Sequence, residues 1–151
     1  MYRATIIAVG QMKAGPEKDL FDKYRKRLPQ QLFLKEVQAS LNATQSKKME
    51  TMALLKALPA DAFCIVLDEK GKELSTLELS HFIEAKQKTF GPHFAFLIGG
   101  ADGIDIQCLP KDTFRLSLGR LTWPHMMVRG LIAEQIYRVA MILSGHPYHR
   151  V

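Results

Sequence analysis

The apolar positions along this chain fall into short β-branched or aromatic runs, separated by amphipathic stretches of helical period. Ala4-Thr-Ile-Ile-Ala-Val9 is apolar and β-branched, ends at Gly10 and reads as a buried strand. Ala62 to Leu67 and Phe94 to Ile98 repeat that pattern, Leu32 to Val37 predicts a shorter strand, and Thr113 to Leu118 a fifth. Gly15-Pro16 opens a helix with Leu20, Phe21, Tyr24 and Leu28 at helical spacing, and Pro29 stops it. The polar run Asn42 to Lys48 predicts a loop leading into a helix with Met49, Met52, Ala53 and Leu55 to Leu58, ended by Pro59. Asp68 to Lys72 is a polar turn by composition. Ser75 with Glu78 three residues on is a capping box, opening a helix to about Lys88 that Gly91-Pro92 breaks. A last helix is predicted from near Pro124 to about Leu143. Its apolar stripe of Val128, Leu131, Ile132, Ile136, Val139 and Leu143 faces either core or a partner.

Strands alternate with helices, and the strand segments are continuous apolar runs. Both faces of the sheet are therefore expected to be covered, which gives a single α/β domain over residues 1–151 with a mostly parallel sheet. Such sheets bind ligands beyond the carboxyl ends of their strands. That rule selects three positions, Leu67, Gly99 and Leu118.

Composition narrows the partners. Hydrophobic residues at 47% and charged residues at 24% exclude overall disorder. The net charge of +6 favours phosphate-rich partners. No apolar run reaches the roughly 18 residues of a membrane span, and Arg3 interrupts the first apolar run with no small-residue cleavage site after it. A cytoplasmic protein without a membrane partner is expected. Cys64 and Cys108 lie in apolar surroundings, form no CxxC pair, and read as buried thiols of a reducing compartment.

Four segments carry candidate chemistry. Gly99-Gly-Ala-Asp-Gly103 follows a strand directly. Its glycines allow close approach of backbone to a ligand, or simply make a tight turn. Leu118-Gly119-Arg120-Leu121-Thr122-Trp123 links the fifth strand to the last helix. It exposes backbone N–H and C=O groups suited to an adenine edge, or is a plain connection. His125 and Arg129 are i,i+4 and share a helix face, as do Glu134 and Arg138, expected to be an exposed or interface ion pair. The tail Gly145-His-Pro-Tyr-His-Arg150 gathers Tyr148, His149 and Arg150, a set suited to phosphate and to stacking on an unpaired base. His146 and His149 lack thiol or carboxylate neighbours, so no metal site is expected.

Taken together, Leu116-Ser-Leu-Gly-Arg-Leu-Thr-Trp-Pro-His125, Arg129, Glu134-Gln-Ile-Tyr-Arg138 and His146-Pro-Tyr-His-Arg150 resemble the RlmH family. Ile6-Ile-Ala-Val-Gly10 and Leu97-Ile-Gly-Gly-Ala-Asp-Gly103 match as well, so the resemblance covers essentially the whole chain. It implies the SPOUT fold, an α/β sheet with a C-terminal trefoil knot. It also implies a homodimer that transfers a methyl group from S-adenosyl-L-methionine to N3 of a pseudouridine in a 23S rRNA stem-loop of the large ribosomal subunit or the assembled ribosome. Cofactor contacts carry over to Leu67, Gly99 and the loop Leu118 to Trp123. His125, Tyr148 and His149 are then candidates to accept or steer the N3 proton. Arg129 and Arg150 are candidates to hold phosphate or the developing anion on the base. Gly119-Arg120 departs from the family's usual small polar residue followed by a variable one, and Gly130 suggests close packing on a partner subunit. A non-catalytic RNA-binding domain and a SPOUT enzyme acting on transfer RNA are the alternatives.

Overall fold

The structure is a computed structural model describing residues 2–42 and 44–150. Five strands, β1 (Arg3–Val9), β2 (Leu32–Val37), β3 (Phe63–Glu73), β4 (His93–Ile98) and β5 (Phe114–Ser117), form one sheet in the order β2-β1-β4-β3-β5. Every pairing is parallel. The helices are α1 (Pro16–Arg27), α2 (Ser46–Lys56), α3 (Thr76–Thr89) and α4 (His125–Leu143), with a short 3-10 turn at Ile106–Cys108. The predicted elements are all present. Ala43, within the polar run expected to be a loop, lies outside the described residues, and α2 begins inside that run at Ser46.

The two sheet faces are covered unequally. One carries Ala4, Ile6, Phe94 and Phe96 against Phe21 of α1, Leu79 and Ile83 of α3, and Ile132, Ile136 and Val139 of α4. The other carries Ile7, Val9, Val66 and Leu97 against Leu54 of α2, with Ile104 and Leu109 from the segment after β4. Connections that step one way along the sheet place their helix on the first face, and those that step the other way use the second. A uniform crossover handedness requires this arrangement. The central strands β1 and β4 are buried on both faces, which is why their sequences are unbroken apolar runs.

Local chemistry sets the ends of α3 and α4. Ser75 accepts from the Glu78 N–H at 3.1 Å, and the Glu78 carboxylate accepts from the Ser75 N–H at 2.7 Å, completing the expected capping box. α4 begins one residue after Pro124, which is the N-cap rather than the first helical residue. Gly130 packs within the chain: a Cβ there would lie 2.7 Å from Leu20 Cδ2 of α1, so the glycine lets α1 and α4 approach. The close packing expected at Gly130 is thus found between two helices of the same chain. Cys64 is buried as expected, whereas Cys108 is only partly so.

Asp68 to Lys72 is not a simple turn. These residues continue β3, and Leu116 of β5 pairs with both Leu67 and Lys72, so residues 68–71 bow out around β5. Gly71 allows the approach, since a Cβ there would stand 2.7 Å from the Arg115 carbonyl.

The largest correction concerns Arg129. Its side chain has no exposed surface. NH1 donates to Glu36 Oε2 at 2.7 Å, and NH2 donates to the Val9 and Gly10 carbonyls at 2.7 and 2.8 Å. The same Glu36 oxygen accepts from the Met12 N–H at 2.6 Å. Arg129 therefore ties α4 to the carboxyl ends of β1 and β2, and it cannot meet an RNA phosphate. Replacing it with Ala leaves two carbonyls without their guanidinium donor and the Glu36 carboxylate without its cation. The expected cost is about 3–5 kcal/mol, measured as a loss of unfolding free energy in urea, whereas Arg150→Ala on the exposed tail should be near neutral.

Candidate functional site

A cavity of about 410 Å³ opens at the carboxyl ends of β3, β4 and β5. Three segments build its walls: the bow after Leu67, the glycine segment 99–104, and the loop from Leu118 to Trp123. These are the three strand ends that the parallel-sheet rule selects. Leu67, Gly99, Leu118, Gly119, Leu121, Thr122 and Trp123 all line it; Arg120 does not, and is exposed.

The backbone explains the glycines. A Cβ on Gly99 would stand 2.7 Å from the Gly103 carbonyl oxygen, so the segment closes on itself only with glycine there. Gly100 abuts the buried Glu50 carboxylate, whose Oε1 would lie 2.7 Å from a Cβ. Gly103 and Gly119 have φ of 80° and 105°, with no heavy atom within 4 Å of where a Cβ would stand. Both leave backbone open to the cavity.

A hydrogen-bonded frame holds the walls. Arg115 donates to Asp68 Oδ2 from Nε at 2.8 Å and from NH2 at 2.6 Å. Burial pushes the Asp68 carboxyl up, but the Lys70 N–H and Arg115 outweigh it and hold the group below its ordinary value. The Ser117 hydroxyl lies 3.1 Å from the Glu69 carbonyl and 2.9 Å from the Gly119 carbonyl, and accepts from the Gly119 N–H at 3.1 Å. Thr122 donates to the Glu69 carboxylate at 3.1 Å, joining the bow to the loop before α4. On the opposite side α2 is stitched to the glycine segment. Ser46 donates to Asp102 at 2.8 Å, and the Asp105 N–H donates to Thr51 at 2.9 Å.

His125 opens α4 at the cavity edge. Burial and then the Arg129 charge lower its pKa, and Glu50 only partly offsets them. Its Nδ1 is buried with no hydrogen-bond partner among the described residues. The imidazole is therefore neutral at neutral pH.

The tail lies elsewhere. Glu134 Oε1 accepts from Arg138 at 2.9 and 2.6 Å and from the Tyr148 hydroxyl at 3.1 Å. The Arg138 guanidinium lies 4.7 Å from the Tyr148 ring centroid and 3.3 Å from His149 Nδ1. Tyr148 also packs edge-on against Tyr137 at 4.7 Å. Glu134–Arg138 is thus a half-buried hub for the tail rather than an exposed pair. Thirteen residues of α4 separate His125 from Arg138, about 20 Å along the axis. Tyr148, His149 and Arg150 do not reach the cavity of their own chain.

Sequence reasoning missed Asp68, Arg115, Glu69, Lys47 and Glu50. Arg115 and Asp68 are 47 positions apart, and nothing local marks them as partners. The i,i+4 spacing of His125 and Arg129 gave their common face but not that this face turns inward.

The comparisons with known proteins agree with this geometry. A family profile described as "Predicted SPOUT methyltransferase" matches residues 2–149. A protein of Paramagnetospirillum magneticum named Ribosomal RNA large subunit methyltransferase H is 45% identical over 150 residues, covering 98% of this chain and 99% of its own length. Proteins of the same name from Gluconacetobacter diazotrophicus and Rhodospirillum centenum are 47% and 42% identical, over 96% and 98% of this chain and 95% and 99% of their own lengths. The chain belongs to the SPOUT methyltransferase family.

Proposed function

We propose that this SPOUT methyltransferase transfers a methyl group from S-adenosyl-L-methionine to N3 of a pseudouridine in 23S rRNA, acting in the cytoplasm as a homodimer on the large ribosomal subunit or the assembled ribosome. The observation that carries the reading is the glycine-lined cavity at the ends of β3, β4 and β5, in a chain whose full-length relatives are named as large-subunit rRNA methyltransferases. The family's trefoil knot belongs to the same proposal.

The cavity fits such a cofactor. Its volume lies within the roughly 300–1,000 Å³ of small-molecule sites. Leu67, Ile98, Leu118, Leu121 and Val128 give apolar surface for an adenosine. Gly103 and Gly119 leave backbone accessible, and Lys47, Glu69 and Asp102 offer both charge signs for a zwitterionic amino acid. When bound, the cofactor supplies an electrophilic methyl group on a sulfonium. The protein's work is then to position the base, take its proton and exclude water. N3 of a pseudouridine must lose a proton to become a nucleophile. We assign its acceptance to His125, a reading supported by the neutral imidazole's position at the cavity edge. Tyr148 is a poor base in this role. Burial and hydrogen bonding push its pKa up to about 12, so it stays a protonated donor. Arg150, exposed at the tail, suits a phosphate or the anion that develops on the base.

The roughly 20 Å between His125 and Arg138 supports the homodimer in this reading. A tail anchored at Glu134 and Arg138 serves a cavity only if that cavity is in another copy. An apolar groove lined by Leu20, Leu74, Leu79, Leu118 and Leu131 runs beside the cavity and supports a self-complementary contact there.

Gly99→Val should lose at least tenfold in calorimetric affinity for S-adenosylmethionine while keeping its circular dichroism; unchanged affinity would sink the cavity assignment. His125→Ala should lower kcat by about 10²-fold or more with cofactor affinity retained. Because the folded pKa of His125 is lowered, the base form persists as pH falls through 6.5, so the wild-type rate should stay level there and drop only at more acid pH. A rate that falls already at pH 7 argues against this base. Mixing inactive His125→Ala and Arg150→Ala subunits should restore about a quarter of the sites, since half of random dimers are mixed and each holds one intact pair; no recovery would mean that tail and cavity do not meet in trans. Mass analysis of rRNA from a deletion strain tests the substrate. Loss of one methyl group on a 23S rRNA pseudouridine is expected, and a change confined to transfer RNA would overturn the assignment.

A further inference from the structure

The sheet face covered by α2 has no long helix beside it, and α2 presents an unusual surface. Its three lysines, Lys47, Lys48 and Lys56, are exposed, while its one acid, Glu50, is turned inward and buried. Glu50 Oε2 accepts from the Ser40 N–H at 3.0 Å, and its other oxygen lies against Gly100. Lys48, Met52 and Lys56 stand at i, i+4 and i+8, a single row of about 12 Å. Lys47 lines the cavity. At the other end Lys35 of β2, also exposed, reaches the Ala57 carbonyl at 3.4 Å and continues the row. The acids facing α2 from the cavity segment are engaged: Asp102 accepts from Ser46, and Asp105 accepts from the Gln107 N–H. Met49 and Met52 of α2 are exposed as well, as is Leu41 ahead of the helix.

We infer that the solvent face of α2 is the track along which the phosphate backbone of the substrate RNA runs into the cavity, with Lys48, Lys56 and Lys35 contacting phosphates next to the target nucleotide. The inference rests on the RNA-methylating reading of the cavity. The placement supports it in two ways. A strand whose base enters the cavity past Lys47 must lie over an adjoining surface, and α2 offers one whose lysines are exposed while its own acid, Glu50, is buried. The exposed apolar side chains among the lysines suit the bases of an unpaired loop, whereas a duplex would present only phosphate and sugar. The bonds joining Ser46 to Asp102 and Thr51 to Asp105, with Glu50 packed against Gly100, make this track one piece with the cavity wall.

The test is the double variant Lys48→Glu/Lys56→Glu, compared with Lys26→Glu/Lys88→Glu, which changes net charge equally on the opposite face. Both are assayed as full-length protein with ribosomes lacking the modification. The α2 variant should raise the ribosome KM about tenfold, keep kcat at saturation, and keep calorimetric affinity for S-adenosylmethionine. Its slope of log affinity against log potassium chloride should fall by about 2, one for each phosphate contact removed. The control pair should change KM less than twofold. Equal effects in the two pairs would reduce the finding to net charge and overturn the track. A raised KM with an unchanged salt slope would overturn it in favour of a ribosomal-protein contact. Failure of the wild-type protein to methylate any ribosome would instead refute the functional reading beneath it.

Discussion

A guanidinium without exposed surface sits where β1, β2 and α4 meet, and much of the site depends on it. Arg129 gives two hydrogen bonds to carbonyls at the end of β1 and one to Glu36 of β2. Burial lowers its pKa, but Glu36 opposes this, and an arginine remains charged under any ordinary condition. A buried charge of this kind tolerates few positions, because it is stable only where all its partners stand together. It therefore fixes the start of α4 against the carboxyl edge of the sheet. His125 lies one turn earlier, and the Leu118 to Trp123 loop ends where α4 begins, so both inherit their positions from this pair. The same charge helps to keep His125 neutral.

The cavity is a consequence of backbone packing more than of side-chain chemistry. Gly99, Gly100 and Gly71 stand where a methyl group would strike a carbonyl or a carboxylate, so three segments approach one another closely. Arg115–Asp68 and Thr122–Glu69 then hold the bow and the loop in place. A preorganised frame suits a reaction in which placing the nucleophile is the main task.

The two ends of α4 do different work. Its first turn borders the cavity, and its last turns anchor the tail through Glu134 and Arg138. The helix holds His125 and Arg138 about 20 Å apart along its axis. On the other face of the sheet, α2 carries its lysines outward while the stitches from Ser46 and Thr51 bind it to the cavity wall.

The sequence by itself determined the class of fold. Continuous apolar runs predict strands buried on both faces, and helical spacing between them predicts the crossovers, because a parallel sheet has no other way to cover itself. It also located the ligand end of the sheet at Leu67, Gly99 and Leu118, since strand ends and glycines are local features. The motifs from Leu116 to Arg150 carried the family. What the sequence left open was direction and distance. Arg129 reads as a charge on the same face as His125, yet its partners, Glu36 and the β1 carbonyls, are about a hundred positions away. The tail reads as a neighbour of the site, yet α4 sets its anchor at Arg138 about 20 Å from His125. The burial of Glu50, which leaves α2 with an unbroken basic face, depends on contacts with Ser40 and Gly100 made only when the chain is folded. Periodicity and motif order survive in one dimension; whether a charge faces water or the core is decided by which distant groups the fold sets against it.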